Sequence, residues 1–133
     1  MNENDTIATS EIKYGDNDRL ASRVAQITNA DTLILLSDVD GLFTKNPKKF
    51  KDAKLIKRVN NFSKDIRDIN IKGMNEFGSG GMNTKIEAAK ICNLSGCNMI
   101  IANGLYLNPL SQIEKNDNCT WFISKTTKLH ARK

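Results

Sequence analysis

The stretch that decides the fold runs from Asn83 to Ala102: Asn-Thr-Lys-Ile-Glu-Ala-Ala-Lys-Ile-Cys-Asn-Leu-Ser-Gly-Cys-Asn-Met-Ile-Ile-Ala. Up to Leu94 the apolar residues recur at helical spacing, with either Ile86, Ala89 and Leu94 or Ala88, Ile91 and Cys92 turned inward. Ser95-Gly96 reads as the helix stop, because glycine takes the left-handed conformation in which many helices end. Asn98 to Ala102 follows as an apolar run without alternation, which marks a strand covered on both faces. A helix that feeds such a strand is one unit of a layered α/β fold.

Upstream the same unit recurs. Gly15-Asp16-Asn17-Asp18 is a turn in which Asp16 or Asp18 can cap a helix. Leu20, Ala21, Val24, Ala25 and Ile27 then form a stripe at helical spacing. Thr32 to Leu36 is apolar without alternation, so it too reads as a strand covered on both faces. Thr6 to Lys13 predicts a short strand or hairpin arm, and Leu55 to Val59 a further strand. Phe62 to Ile71 favours a helix through apolar residues at 62, 66 and 69. Asn108-Pro109 opens a short helix with proline at its first position, and Thr120 to Ile123 is a last strand. The order predicts a three-layer αβα sandwich with a largely parallel sheet.

Composition bounds the rest. A chain of 133 residues, 39% hydrophobic and 26% charged, is one domain's worth of globular protein. The apolar runs are four or five residues long, against the roughly 20 that cross a membrane. Met1-Asn2-Glu3-Asn4-Asp5 is acidic and polar, without the basic and apolar regions of a signal peptide. Cys92, Cys97 and Cys119 are odd in number and form no CxxC, so reduced, mostly buried thiols in a cytoplasmic protein are expected. The single histidine, His130, makes a Cys/His metal site or catalytic pair improbable, and no protein-held metal is expected. The net charge of +5 comes mainly from lysine, and the Lys45 to Lys57 cluster includes one aromatic, Phe50. That pattern is a solvated basic loop rather than a nucleic-acid surface.

In a parallel sheet the ligand lies beyond the carboxyl ends of the strands. Gly78-Ser79-Gly80-Gly81-Met82-Asn83-Thr84-Lys85 is a glycine-rich turn opening a helix. Its backbone N–H groups and the helix N-terminus suit phosphate, and Thr84 and Lys85 add a hydroxyl and a cation. The spacing is not that of a Walker loop, and a glycine turn before a helix is often only structural. Asn2-Glu3-Asn4-Asp5 and Gly15-Asp16-Asn17-Asp18 are two further polar segments. Short amides and carboxylates there could hold an amino group, a carboxylate or a metal-bound phosphate, or could be ordinary turn residues.

In their order, these segments resemble the amino-acid kinase family. To them are added Leu35-Leu36-Ser37-Asp38-Val39-Asp40-Gly41-Leu42-Phe43-Thr44 and Ile100-Ile101-Ala102-Asn103-Gly104. The Asn-Glu-Asn-Asp and Gly-Asp-Asn-Asp pair is similar to the branch that acts on glutamate. The resemblance implies transfer of the ATP γ-phosphoryl group to the γ-carboxylate of L-glutamate, giving L-glutamyl 5-phosphate, the first step of proline synthesis. It implies glutamate held by Asp5 and Asn17, with Asn2 close by. Asp18 would orient catalytic lysines, and Lys85 would stabilise the transferring phosphoryl group. Ser37, Asp38 and Ser79, Gly80, Gly81, Met82, Asn83, Thr84 and Lys85 would form the ATP site, with Mg²⁺ carried by the nucleotide. Residues 1–133 would then be one partial domain, the C-terminal, nucleotide-binding half. The family's first half, with its own lysine and phosphate loop, is not matched. Partners would be glutamate and ATP, with a homo-oligomer or the missing half completing the domain, and neither nucleic acid nor membrane. An acceptor other than glutamate, or a non-catalytic nucleotide-binding half-domain, are the alternatives.

Overall fold

The computed structural model describes residues 16–71, 81–115 and 118–127, and within them the first helix, α1, spans Asp16–Ile27. Asn29 follows with φ of 57°, and Ala30 N–H donates to the Ala25 carbonyl at 2.9 Å. This is a Schellman end with asparagine in the left-handed position. The chain then extends as β1 (Thr32–Ser37) and, after a loop, β2 (Arg58–Val59). Two helices follow, α2 (Phe62–Ile71) and α3 (Gly81–Leu94). Helix α3 ends as α1 does, with Gly96 at φ 75° and Cys97 N–H donating to the Cys92 carbonyl at 2.9 Å. Strand β3 (Asn98–Asn103), helix α4 (Pro109–Lys115) and strand β4 (Cys119–Phe122) complete the described elements.

The four strands form one sheet in the order β1-β3-β4-β2. β1 runs parallel to β3 and β2 parallel to β4, while β3 and β4 are antiparallel. β3 lies inside the sheet and has Met99, Ile100, Ile101 and Ala102 all buried. Met99 and Ile101 pack with Ala88, Ala89 and Cys92 of α3 and with Ala21 and Ala25 of α1. Ile100 and Ala102 face the other way, with Cys119, Trp121 and Ile113 of α4. Helices therefore cover both faces of β3, as the layered αβα reading requires. Phe62 of α2 leans on Phe122 with ring centroids 6.4 Å apart.

Several expectations are corrected. β1 is covered on one face only: Leu35 is buried, whereas Ile34 and Leu36 are 37% and 50% exposed. Ile34 and Leu36 register with Ile100 and Ala102, on the α4 side, where the seven-residue α4 is too short to roof both strands. Ile27 and Leu94 are exposed at the last turns of their helices, so the inward set on α3 is Ala88, Ala89 and Cys92. Helix α3 starts at Gly81, two residues before Asn83. Of Leu55 to Val59 only Arg58–Val59 pairs as a strand, and Leu55 makes an isolated bridge to Phe43. The Thr6 to Lys13 expectation lies outside the described residues.

All three cysteines are free and buried, as expected. Burial, with the Cys97 thiol beside it, pushes the Cys92 thiol up from 9.0 to about 12. A thiol whose folded value is raised stabilises the fold fully below its unfolded value and loses that contribution as pH climbs toward the folded value. The urea midpoint is therefore expected to fall between pH 9.0 and about 12, and Cys92→Ala to flatten part of that fall. The packing carries a second expectation. Ile101→Ala should cost about 2–5 kcal/mol and Ile34→Ala clearly less, read from urea denaturation at constant m. Equal losses would contradict the one-sided covering of β1.

Candidate functional site

α1 and α3 each pack on the strand they feed, so their first turns lie toward the edge where β1 and β3 end. α1 contributes Asn17 and Asp18, and α3 contributes Gly81 to Lys85. The two helices pack side by side, and Arg19 of α1 pairs with Glu87 of α3. One turn away, Lys85 Nζ lies 3.0 Å from Asp18 Oδ2, and both side chains are only about 15% exposed. The Thr84 hydroxyl lies 2.9 Å from the same carboxylate oxygen and 2.9 Å from the Gly81 carbonyl. Asp18 is thus a fixed acceptor between two helices rather than a cap for its own.

This arrangement is suited to an anion. A lysine ammonium has three donors, and Asp18 takes one of them. The N–H groups of the first α3 turn, which have no partner within the helix itself, add partial positive charge. Among the described residues, a Cβ on Gly81 would meet nothing within 4 Å. Beside Asp18, the Asn17 Oδ1 atom is buried with no hydrogen-bond partner among the described residues. A buried amide oxygen left unpaired is costly, and a bound donor such as an ammonium would satisfy it.

A second group stands at the end of β1. The Ser37 hydroxyl donates to Asp38 Oδ1 at 3.2 Å. Asn103 Nδ2, at the end of β3, donates to Asp40 Oδ1 at 3.1 Å. Asp40 and Asn103 stand in stretches that carry the family resemblance, but the sequence reading gives neither a role. Their signal was present in Asp38-Val39-Asp40-Gly41 and Ala102-Asn103-Gly104, as polar residues directly after buried strands. A cleft of about 280 Å³ opens on the α4 side among Asn103, Tyr106, Gln112 and Asn118. Its lining carries no charged side chain, so it supplies no cation to offset the charge of a polyphosphate.

Of the residues expected to act, the structure brings Asp18, Thr84 and Lys85 into contact and joins Ser37 to Asp38. Met82 and Asn83 lie in the first turn of α3 without contributing to the Asp18 contact. Asn2, Asp5, Ser79 and Gly80 lie outside the described residues. No helix among the described residues is long and apolar enough to cross a membrane.

Comparison with known proteins agrees with this architecture. The chain is 67% identical, over all 133 residues, to a glutamate 5-kinase of Pelagibacter ubique, of which it covers 36%. It is 50% identical to a glutamate 5-kinase of Agrobacterium fabrum, of which it covers 34%. The chain therefore spans about a third of the length of these relatives. Among solved structures, a UMP kinase of Ureaplasma parvum superposes on 81% of the chain with a TM-score of 0.61, at 17% identity and over 42% of its own length. A carbamate kinase of Giardia lamblia superposes on 89% with a TM-score of 0.59, at 24% identity and over 36% of its length. These two bear on the fold alone. A profile of the amino acid kinase family matches residues 1–103, the span that holds α1, α3, β1 and β3, and the chain belongs to that family.

Proposed function

We propose that this chain is the nucleotide-binding part of an ATP-dependent glutamate 5-kinase. The observation that carries the reading is the Asp18, Thr84 and Lys85 cluster at the head of α3, in a chain 67% identical to one such kinase. In the proposed reaction a γ-carboxylate oxygen of L-glutamate attacks the γ-phosphorus of ATP. The bond from that phosphorus to the β,γ-bridging oxygen breaks, giving L-glutamyl 5-phosphate and ADP. No covalent intermediate on the protein is involved. The protein's task is to position two anions and to offset the charge between them.

Lys85 is assigned to the transferring phosphoryl group. Asp18 holds its ammonium in place, at 3.0 Å, so that little side-chain freedom is lost when phosphate arrives. Thr84 and the N–H groups from Gly81 onward are assigned to the nucleotide phosphates, together with Ser79 and Gly80, and Ser37 and Asp38 to the nucleotide from the β1 side. Asn17, with its buried unpaired Oδ1, is assigned to glutamate with Asp5 and Asn2, where the substrate ammonium supplies the donor. Magnesium fits as a passenger on the phosphates. Among the described residues no three His, Cys, Asp or Glu side chains gather, and Asp18 is committed to Lys85.

The remaining length of the relatives is proposed to supply a second phosphate loop and a further lysine. The α4-side face of β1, with Ile34 and Leu36 exposed, supports pairing there with the rest of a kinase domain or with a second copy. We place the protein in the cytoplasm, with residues 1–133 as one partial kinase domain in proline synthesis.

Two outcomes follow. The chain alone should bind Mg-ADP weakly and show no glutamate-dependent ATP consumption. Fused to the remaining part of the Pelagibacter relative, it should gain activity, and Lys85→Ala should then lower kcat by about 10²–10³ with little change in either KM. Activity of the unaided chain that survives Lys85→Ala would contradict the proposal. In the same fusion, Asn17→Ala or Asp5→Ala should raise the KM for glutamate roughly tenfold and leave that for ATP near its original value. The reverse split would move these residues to the nucleotide.

A further inference from the structure

The segment from Ser37 to Leu42 leaves β1 without regular structure, yet it is fastened at both ends. At its start Gly104 N–H donates to the Ser37 carbonyl at 2.8 Å. At its finish Leu42 N–H donates to Thr120 Oγ1 at 2.8 Å, and the Thr120 hydroxyl passes its own proton to the Ile56 carbonyl at 2.7 Å. Gly41 is pressed onto that hydroxyl: a Cβ there would stand 2.3 Å from Thr120 Oγ1. Between these anchors the described contact that crosses to the segment's middle is Asn103 Nδ2 to Asp40 Oδ1, 3.1 Å and partly buried. Asn103 is itself held, because its Oδ1 accepts from Leu105 N–H at 2.9 Å. Its amide can therefore not rotate without giving up one bond or the other. Gly104 fits so closely that a Cβ would lie 3.0 Å from that of Leu36, which fixes the end of β3 against β1.

We infer that Asn103 is a positioning residue for nucleotide binding, acting through Asp40 to hold the Ser37–Asp38 turn in its binding conformation. This rests on the nucleotide reading above. The Asn103 amide does not need to touch the ligand. Its work is to remove the freedom of a four-residue turn, Asp38 to Gly41, before the nucleotide arrives. A bond to a carboxylate of this kind is among the stronger hydrogen bonds, so its loss should be read clearly in affinity.

The test uses the 133-residue chain, with Mg-ADP as the probe. Its dissociation constant is measured for the unsubstituted chain, for Asn103→Ala, and for the reciprocal double variant Asp40→Asn with Asn103→Asp. In the double variant an amide at position 40 donates to a carboxylate at position 103, and the net charge is unchanged. Hydrogen exchange of the amides from Val39 to Leu42 is followed in each. Asn103→Ala is expected to weaken Mg-ADP about tenfold and to speed exchange in that turn. The double variant is expected to recover most of the affinity and the protection, which a residue needed only for global stability would not do. If Asn103→Ala binds Mg-ADP as the unsubstituted chain does, or if the swap restores neither quantity, the assignment is overturned while the nucleotide site stands. If the unsubstituted chain binds no Mg-ADP, the nucleotide reading falls and this assignment falls with it.

Discussion

The structure hangs on β3. Its four central residues are buried on both faces, with α1 and α3 packed on one side and α4 on the other. β1 and β4 are its two hydrogen-bonded neighbours, so the register of the whole sheet is set there. A strand with no solvent face cannot slip by one residue without moving every side chain to the opposite layer. That constraint carries through to the site. The end of β3 holds the turn after β1, and the helix that feeds β3 presents Thr84 and Lys85 at its first turn.

The Asp18–Lys85 pair is the polar counterpart of this packing. With Thr84–Asp18 and Arg19–Glu87, it joins the first turns of two helices whose buried contact is made by small side chains, Ala21 and Ala25 with Ala88 and Ala89. Small residues let the helices approach closely enough for a 3.0 Å contact between side chains 67 positions apart. Two largely covered ions of opposite sign are not placed there chiefly for stability, since the desolvation of such a pair offsets much of its attraction. A lysine held by one carboxylate beside a helix N-terminus suits the phosphate contact proposed for it.

Much of this was legible in the sequence. The uninterrupted apolar run from Met99 to Ala102 announced a doubly covered strand, and Ser95-Gly96 announced the end of the helix before it. Thr32 to Leu36 carries the same signal yet is covered on one face only, because covering depends on what packs above a strand. Ile34 and Leu36 face a layer in which α4 has seven residues. Ile27 and Leu94 were misplaced for a related reason, since helical periodicity does not say how far a neighbouring layer extends. At the site, Lys85 stands out by its position after a glycine-rich stretch, and Asp18 by a polar segment that reads as a turn but lies, from Asp16 on, in the first turn of α1. Their contact was expected only from family resemblance, because no local pattern pairs residues so far apart. Asp40 and Asn103 receive no role from the sequence, because each looks like an ordinary turn residue until the parallel pairing of β1 and β3 puts their loops side by side.

The central claim is that the nucleotide sits at the edge shared by the first turn of α3 and the end of β1. The most direct test is an amide chemical-shift map of the chain during titration with Mg-ADP. The account predicts that the largest changes fall on Gly81 to Lys85 and on Ser37 to Asp40, with smaller ones at Asn17 and Asp18. Changes confined to Tyr106 to Ile113 and Asn118, around the uncharged cleft on the α4 side, would contradict it.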